Sequence, residues 1–559
     1  MYIAFTRKKY KDTYHEQVLL RESYREDGKV KTRTIANFTN QPKEQIEAIV
    51  VALKSKGKAL ISTDNQFQGF SVGLSMVILF IMKQLGMIKV IGKSFEAKIA
   101  ILLIAARITI QSSRLQALYW AKEEDKILDL SQFTEDEKEK LNNKTIYKGL
   151  DYISENQESI ENKLFKSYYK NNPPKRVFYD VTSSYVEGEY EDSELVAYGY
   201  NRDKKQGKAQ IVIGALTDED GHAISIQTYP GNTNDVKTFT DQLDKLKNRF
   251  KLESITIVGD GGMIKSEDIV KIKELGYDYI TSIGKPSIEK LIKDKESKIE
   301  MSLFDEALQE VVDEAKSVRY ILRQNPIRRD EIRETRASKI TRIEAFIKEK
   351  QEYYNSHYRA KKEIMTANID KKIASLKLSK FISYKIEYKD GECKIETKDN
   401  NQTTKTKVLA TVEIVIDSEA QAKIAQLDGC YVITTSLTSI DKDTKEDIHK
   451  AYKTLIKVEN AFKTLKTEYL EIRPLYLRTD SRIKGHIFIS MLSYNIVLKL
   501  RGYISDTKLD FKSTIRQISG IKTVRNVINK TIAYETIPAV DGKITKLFDK
   551  MKFKLPNRI

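Results

Sequence analysis

Cysteine is almost missing from these 559 residues: only Cys393 and Cys430 occur, neither close to the other nor near a histidine. A disulfide framework and a cysteine-based zinc site are therefore excluded, and a reducing, cytoplasmic setting is expected. Histidine is also scarce, with 5 scattered residues, so chemistry centred on a histidine cluster is not expected either. Long apolar runs are also wanting. Met76 to Met82 ends at Lys83 and, like every other apolar run, falls far short of the roughly 20 residues a membrane helix needs. It reads as a buried core helix, and no membrane partner is expected. The opening Met1-Tyr-Ile-Ala-Phe-Thr-Arg-Lys-Lys has no secretory apolar core. No fixed-period repeat and no low-complexity linker occurs.

What the chain has is positive charge. Lys and Arg number 97 against 79 Asp and Glu, a net +18, which favours a polyanionic partner such as DNA or RNA. Any single cluster of this charge suits either a polyanion contact or plain solvated surface, because Lys and Glu alternate along many of the helical stretches. A single core usually stops growing at roughly 250 to 300 residues, so the chain should hold more than one domain.

Two alternating segments, Gln17 to Ser23 and Lys29 to Ile35, flank Glu26-Asp27-Gly28 and predict a β-hairpin with basic flanks. From Pro42 to Lys170 the period is helical, over Gln45–Ser55, Leu74–Leu85, Phe95–Arg107, Ser113–Glu124 and Thr134–Phe165. Arg107, Ser112, Ser113 and Arg114 sit where two of these helices meet, a junction that suits either phosphate contact or a plain helix corner. After Pro173-Pro174 strands are expected over Arg176–Tyr185, Gln210–Leu216 and Ala223–Tyr229, the last two joined by Asp218-Glu-Asp-Gly221. A helix over Asp235–Phe250, a strand over Ser254–Val258, a helix over Ser266–Leu275 and a strand over Tyr279–Ile283 complete the order βββαβαβ of a ribonuclease-H-like core. Charged helices are expected over Leu303–Leu376, then strands over Phe381–Tyr388, Gly391–Thr397, Lys407–Ile416 and Tyr431–Thr435, and helices again over Lys445–Glu468 and Gly485–Gly502.

The expected fold is thus a mixed α+β and α/β protein whose ribonuclease-H-like catalytic core is interrupted by a helical and β-rich insertion and preceded by a mainly helical DNA-binding domain. The division is a basic hairpin arm (1–45), a helical domain (46–172), the first core part (173–300), the insertion (301–440), a second core part (441–503) and a C-terminal segment (504–559).

Three carboxylates stand out against this frame. Asp180 follows the apolar run Val177-Phe-Tyr, where an uncompensated buried charge is expensive. Asp260 ends Ile255-Thr-Ile-Val-Gly and precedes Gly261-Gly262, which allows close backbone turning. Glu459 lies on a helix on which Tyr452, Leu455, Glu459 and Lys466 share one sector beside the apolar stripe Leu455, Val458, Phe462, Leu465. Lys463 and Lys466 lie near that sector and can hold phosphates. Like charges 4 Å apart repel by roughly 4 kcal/mol at an effective dielectric of about 20, and a divalent cation reverses that sign. Oxygen-only ligands select Mg2+ or Mn2+ over zinc.

These residues resemble those of bacterial insertion-sequence transposases of the DDE class, in the insertion-sequence-four superfamily with its signature helix Tyr-x2-Arg-x3-Glu-x6-Lys. Tyr452, Glu459 and Lys466 keep the spacing, while Leu455 stands where the arginine is expected. Gly199-Tyr-Asn-Arg-Asp-Lys-Lys, Tyr229-Pro-Gly-Asn-Thr-Asn-Asp and Arg473-Pro-Leu-Tyr with Arg482-Ile-x-Gly-His486 are similar to one branch of that superfamily. The resemblance implies that Asp180, Asp260 and Glu459 are a catalytic triad holding two Mg2+ ions, with Mn2+ as substitute. It further implies cleavage at the terminal inverted repeats, strand transfer of the freed 3'-hydroxyl into target DNA, and a homodimer on paired ends. Arg202, Lys204, Tyr452, Lys463, Lys466 and Arg473 are the candidates for holding the transposon end, with Arg107 and Arg114 added from the helix junction. Two other readings share the fold: a ribonuclease-H-like nuclease without strand transfer, and a catalytically idle DNA-binding repressor.

Overall fold

The computed structural model describes residues 1–10, 13–54, 69–200, 207–396, 402–464, 472, 475–505, 507, 509–528, 532–540 and 542–557. Two compact units emerge, each assembled from separated stretches: Met1–Ile81 with Ser112–Asn143 and Lys499–Ile559, and Met82–Gln111 with Lys144–Leu498.

The first unit carries an antiparallel sheet, β1 (Tyr2–Tyr10), β2 (Thr13–Glu26) and β3 (Lys29–Asn37), in that spatial order. The expected hairpin is β2 and β3. Its turn places Asp27 and Gly28 both at positive φ, 49° and 75°, the left-handed pair whose twist matches that of the flanking strands. β1 is a further strand that the hairpin pattern did not announce. A helix over Lys43–Lys54 follows. Val72, Leu74, Val77, Ile78 and Ile81 are buried, and Ser75 donates at 2.7 Å to the buried carboxylate of Asp125. A hairpin of Val524–Ile528 with Ile532–Thr536 and a helix over Gly542–Met551 lie in the tail, the helix burying Ile544, Leu547, Phe548 and Met551.

The second unit is built on an eight-stranded mixed sheet. In chain order its strands are β4 (Arg176–Tyr185), β5 (Gln210–Thr217), β6 (Ala223–Pro230), β7 (Thr256–Val258), β8 (Asp278–Ile283), β9 (Gln309–Asp313), β10 (Val318–Gln324) and, beyond a separate pair β11 (Ile382–Glu396) and β12 (Gln402–Ile416), β13 (Cys430–Thr435). Spatially they run β6-β5-β4-β7-β8-β13-β10-β9. β4, β5 and β6 pair antiparallel, β4, β7 and β8 pair parallel, and the remaining ladders are antiparallel. β5 is buried along its whole length, which is why Gln210-Ile-Val-Ile-Gly-Ala-Leu-Thr reads as an apolar run rather than an alternation. One face is covered by the helices around Phe239, Leu243, Leu246 and Ile272, together with Phe165. Elsewhere Tyr494 donates to the Gly221 carbonyl at 3.0 Å, and Asn495 exchanges both bonds with Ala223.

Four expectations need correction. The stretch 303–376 is not helical from its start: Gln309-Glu-Val-Val-Asp and Val318-Arg-Tyr-Ile-Leu-Arg-Gln form a hairpin, and the helices run over Pro326–Ser356 and Lys362–Ser375. β9, β10 and β13 extend the main sheet past β8, while the two helices and the β11–β12 hairpin share a separate core around Ile343, Ile369, Ile373 and Phe381. β11 passes through Gly391 unbroken because that glycine pairs with Lys407 rather than making a turn. The stretch 134–165 is interrupted, giving helices over Glu135–Lys140, Lys148–Glu155 and Gln157–Tyr168.

The helix Asp480–Ser505 is long and apolar enough, by length and composition, to cross a membrane, but 72% of its most apolar window is buried inside the protein, as in a core helix.

Candidate active site

β4 and β7 run parallel with Phe178 beside Val258. Asp180 and Asp260 each lie two residues past that pair, so the two residues sit at the same level of neighbouring chains, Asp180 still within β4 and Asp260 in the turn after β7. A Cβ built on Gly259 would sit 3.9 Å from the Tyr179 carbonyl, which shows that the two backbones are still adjacent there. Asp180 is half-buried and its Oδ1 accepts from the Val181 amide at 2.8 Å. Alternation along β4 puts Phe178, Asp180 and Thr182 on the face opposite Tyr179 and Val181.

Asp260 is exposed where β7 stops. Its Oδ1 accepts from the Gly261 amide at 2.7 Å, while its carbonyl accepts from Met263 at 2.9 Å and Ile264 at 3.0 Å, closing a tight turn. Glycine is required at 261 because a Cβ there would collide with the Ser282 carbonyl at the end of β8.

Glu459 approaches from the far end of the chain. The expected single helix through Tyr452, Glu459 and Lys466 is instead two helices, Lys445–Lys453 and Leu455–Lys463, meeting at Thr454. The Thr454 hydroxyl donates to the Lys450 carbonyl at 3.0 Å, a back-bond of the kind that bends helices. The second helix packs on β4, burying Val458, Ala461 and Phe462 and leaving Glu459 exposed. Two residues before Glu459, Lys457 donates to the Glu219 carbonyl at 2.7 Å, so the β5–β6 turn clamps the helix.

Tyr452 joins these parts. Burial pushes its hydroxyl above the usual phenol range, a hydrogen bond with Ser282 draws it back, and the charges of Asp260 and Glu459 push it up again. The tyrosine therefore lies within interaction distance of two of the three carboxylates. Ser282 and Lys457 were not legible in the sequence, since neither carries a local signal and each acts on a partner far along the chain.

Among the described residues no three His, Cys, Asp or Glu side chains converge tightly enough to form a ready metal cage. The donor set itself is hard oxygen, two aspartates level on adjacent chains and a glutamate on the helix laid against one of them, and this chemistry fits a divalent cation of the Mg2+ class.

The cationic candidates separate. Lys463 is exposed in the last turn of the Glu459 helix. Arg202, Lys204, Lys466 and Arg473 lie outside the described residues. Arg107 is 8% exposed, its guanidinium 3.4 Å from His486 Nδ1, a placement that does not fit the expected DNA-facing role. Arg114 is half-buried at the start of Arg114–Tyr119, behind a Ser113 cap. Arg107 belongs to the second unit and Arg114 to the first.

A transposase DDE domain model matches residues 171–496, and a model of the IS1634 family transposase N-terminal domain matches residues 3–64. No curated protein matches the chain. Among solved structures, a cryo-EM structure of the piggyBac transposase synaptic complex with hairpin DNA aligns at 10% identity and TM-score 0.34, covering 80% of this chain and 76% of that one. The Mos1 transposase paired-end complex with the left transposon end aligns at 14% identity and TM-score 0.14, covering 30% of this chain and 58% of that one. At these scores neither likeness bears on the arrangement described above. The first match spans well over half of the sequence and contains Asp180, Asp260 and Glu459, and by it the chain belongs to the transposase DDE domain family, as a bacterial insertion-sequence DDE transposase.

Proposed function

We propose that Asp180, Asp260 and Glu459 are the catalytic carboxylates of this transposase, that β4 to β8 are a ribonuclease-H-like core, and that the three carboxylates hold two Mg2+ ions, with Mn2+ as substitute. The observation that carries the reading is the level placement of Asp180 and Asp260 on adjacent parallel chains, with Tyr452 within reach of Asp260 and Glu459. The strand order β6-β5-β4-β7-β8, three antiparallel and then two parallel, supports the core assignment.

Divalent cations, when bound, would activate the attacking oxygen and stabilise the departing one. The chain's own part is positioning and charge. Asp180 is held by a central strand, Asp260 by a turn that needs Gly261, and Glu459 by a helix clamped through Lys457. The Tyr452 hydroxyl orients the Asp260 carboxylate. Lys463, Lys466, Arg473, Arg202 and Lys204 hold phosphates of the transposon end, while sequence readout at the terminal inverted repeats falls to the N-terminal helical part, because phosphate contacts anchor without specifying. Two in-line displacements follow: water frees a 3'-hydroxyl at the transposon end, and that hydroxyl attacks target DNA. Paired ends call for a homodimer, working in the cytoplasm on the nucleoid.

Asp180→Asn, Asp260→Asn and Glu459→Gln are each expected to abolish Mg2+-dependent cleavage of DNA bearing the cognate ends while binding of those ends persists. A Glu459→Ala protein that cleaves as fast as wild type would remove the glutamate from the site. Transfer of a pre-cut end into plasmid separates transposase chemistry from that of a nuclease.

A further inference from the structure

Beyond the carboxylates, the sheet ends in a surface that no step above uses. Val186, just past β4, bridges to Leu475, and its amide bonds the Ala209 carbonyl at 3.0 Å. Ala197 exchanges both backbone bonds with Gln210, at 3.1 and 3.0 Å, and the Gln210 side chain donates to the Tyr200 carbonyl at 3.1 Å. Tyr190 donates to the Leu475 carbonyl at 2.9 Å. Three separated segments are thus laced into one platform, and from it three tyrosines project into solvent: Tyr198 is 74% exposed, Tyr200 84% and Tyr476 65%.

Tyrosine in folded proteins is usually at least half covered, so three such rings on one backbone-bonded platform form a surface awaiting a partner. The charges nearby are informative. Lys208 lies within electrostatic reach of Tyr198 and is anchored to Glu187 at 2.7 Å, and Arg478 lies within the same reach of Tyr190. Aromatic faces interleaved with cations suit single-stranded nucleic acid, whose bases offer faces that a closed duplex keeps stacked inside. Tyr185, at the platform end of β4, is five residues from Asp180. At about 3.3 Å per residue that is roughly 17 Å, the length of about five stacked nucleotides at 3.4 Å each.

We propose that Tyr198, Tyr200 and Tyr476 are a stacking platform for unpaired nucleobases of a DNA strand close to the reacting end. The proposal rests on the DNA reading above and is independent of which carboxylates are catalytic. Each ring would take the face of one base, a contact indifferent to sequence and to divalent metal.

The test is fluorescence anisotropy of the full chain with a labelled oligothymidylate and with a labelled duplex, in EDTA at fixed salt. For the triple variant Tyr198→Ala, Tyr200→Ala, Tyr476→Ala, single-strand affinity is expected to fall at least tenfold, about tenfold being the scale of one lost base stack. Duplex affinity and its salt dependence should stay as in wild type. The matching triple Phe variant, which keeps the rings and loses the hydroxyls, should bind the single strand as wild type does. Equal loss on both probes, no loss on the single strand, or a Phe variant as weak as the Ala variant would each overturn the platform. Wild-type protein that binds duplex but not oligothymidylate overturns the platform and leaves the DNA reading standing; binding of neither probe overturns both.

Discussion

Asp125 shows how a single carboxyl can set a pH dependence far from any catalysis. Burial raises its pKa to about 7, against the lowering pull of the Ser75 hydroxyl and the Ile127 amide. The folded protein therefore holds a proton that the unfolded chain gives up near 3.8. Stability from this group is full below the unfolded value and is lost as pH rises through about 7. Asp125→Asn, which keeps an acceptor for Ser75, is expected to raise the melting temperature at pH 8 and to leave it unchanged at pH 4. At about 1.4 kcal/mol per pKa unit, the rise from 3.8 to about 7 makes the gain at pH 8 on the order of 4 kcal/mol. An equal gain at both pH values in calorimetry would show that the carboxyl ionises freely in the fold. Residues of this kind are hard to find in a sequence: nothing in Glu123-Glu124-Asp125 separates this carboxyl from its two exposed acidic neighbours.

Elements were legible to the extent that their period is local. β4 spans Arg176–Tyr185 as its pattern predicts, because alternation and bulky β-branched or aromatic residues are properties of the segment itself. The signature helix was misread for the same reason. Its apolar stripe continues through Thr454, but the threonine's back-bond to Lys450 divides it, and a hydroxyl choosing a carbonyl leaves no trace in periodicity. What holds the Glu459 half in place is the bond from Lys457 to Glu219 in the β5–β6 turn, where Gly221 takes φ +84°. Lys457→Met, which keeps the apolar stem, is expected to ease local opening of Leu455–Lys463 by about 1 kcal/mol, read as roughly fivefold faster amide exchange across that helix. Unchanged exchange would show that packing of Val458 and Phe462 suffices without the clamp.

At the scale of the molecule, the insertion is tied into the main sheet rather than hung from it. Arg319 on β10 is fully buried, ion-paired with Glu310 on β9, and donates to the Asp443 carbonyl at 2.7 Å just ahead of the helices that carry Tyr452 and Glu459. Removing one partner of a buried pair leaves the other's polar groups unmatched, so Arg319→Met should destabilise the second unit by about 3 to 5 kcal/mol. Pairing it with Glu310→Leu should recover part of that loss. A double variant no more stable than Arg319→Met would show that the Asp443 carbonyl, not Glu310, is the partner that matters.

The one-dimensional chain determined its class, through scarce cysteine, an excess of basic charge and three acidic residues in recognisable settings, and it determined most core strands, because pleat and helix periods are written within each segment. Only the folded structure decided that β9, β10 and β13 extend the same sheet, that Tyr452 interacts with both Ser282 and Asp260, that Arg107 is covered, and that three tyrosines stand clear of the surface. Those outcomes depend on register and hydrogen bonds between residues tens to hundreds of positions apart, where many pairings satisfy the same local pattern and the packed molecule selects one.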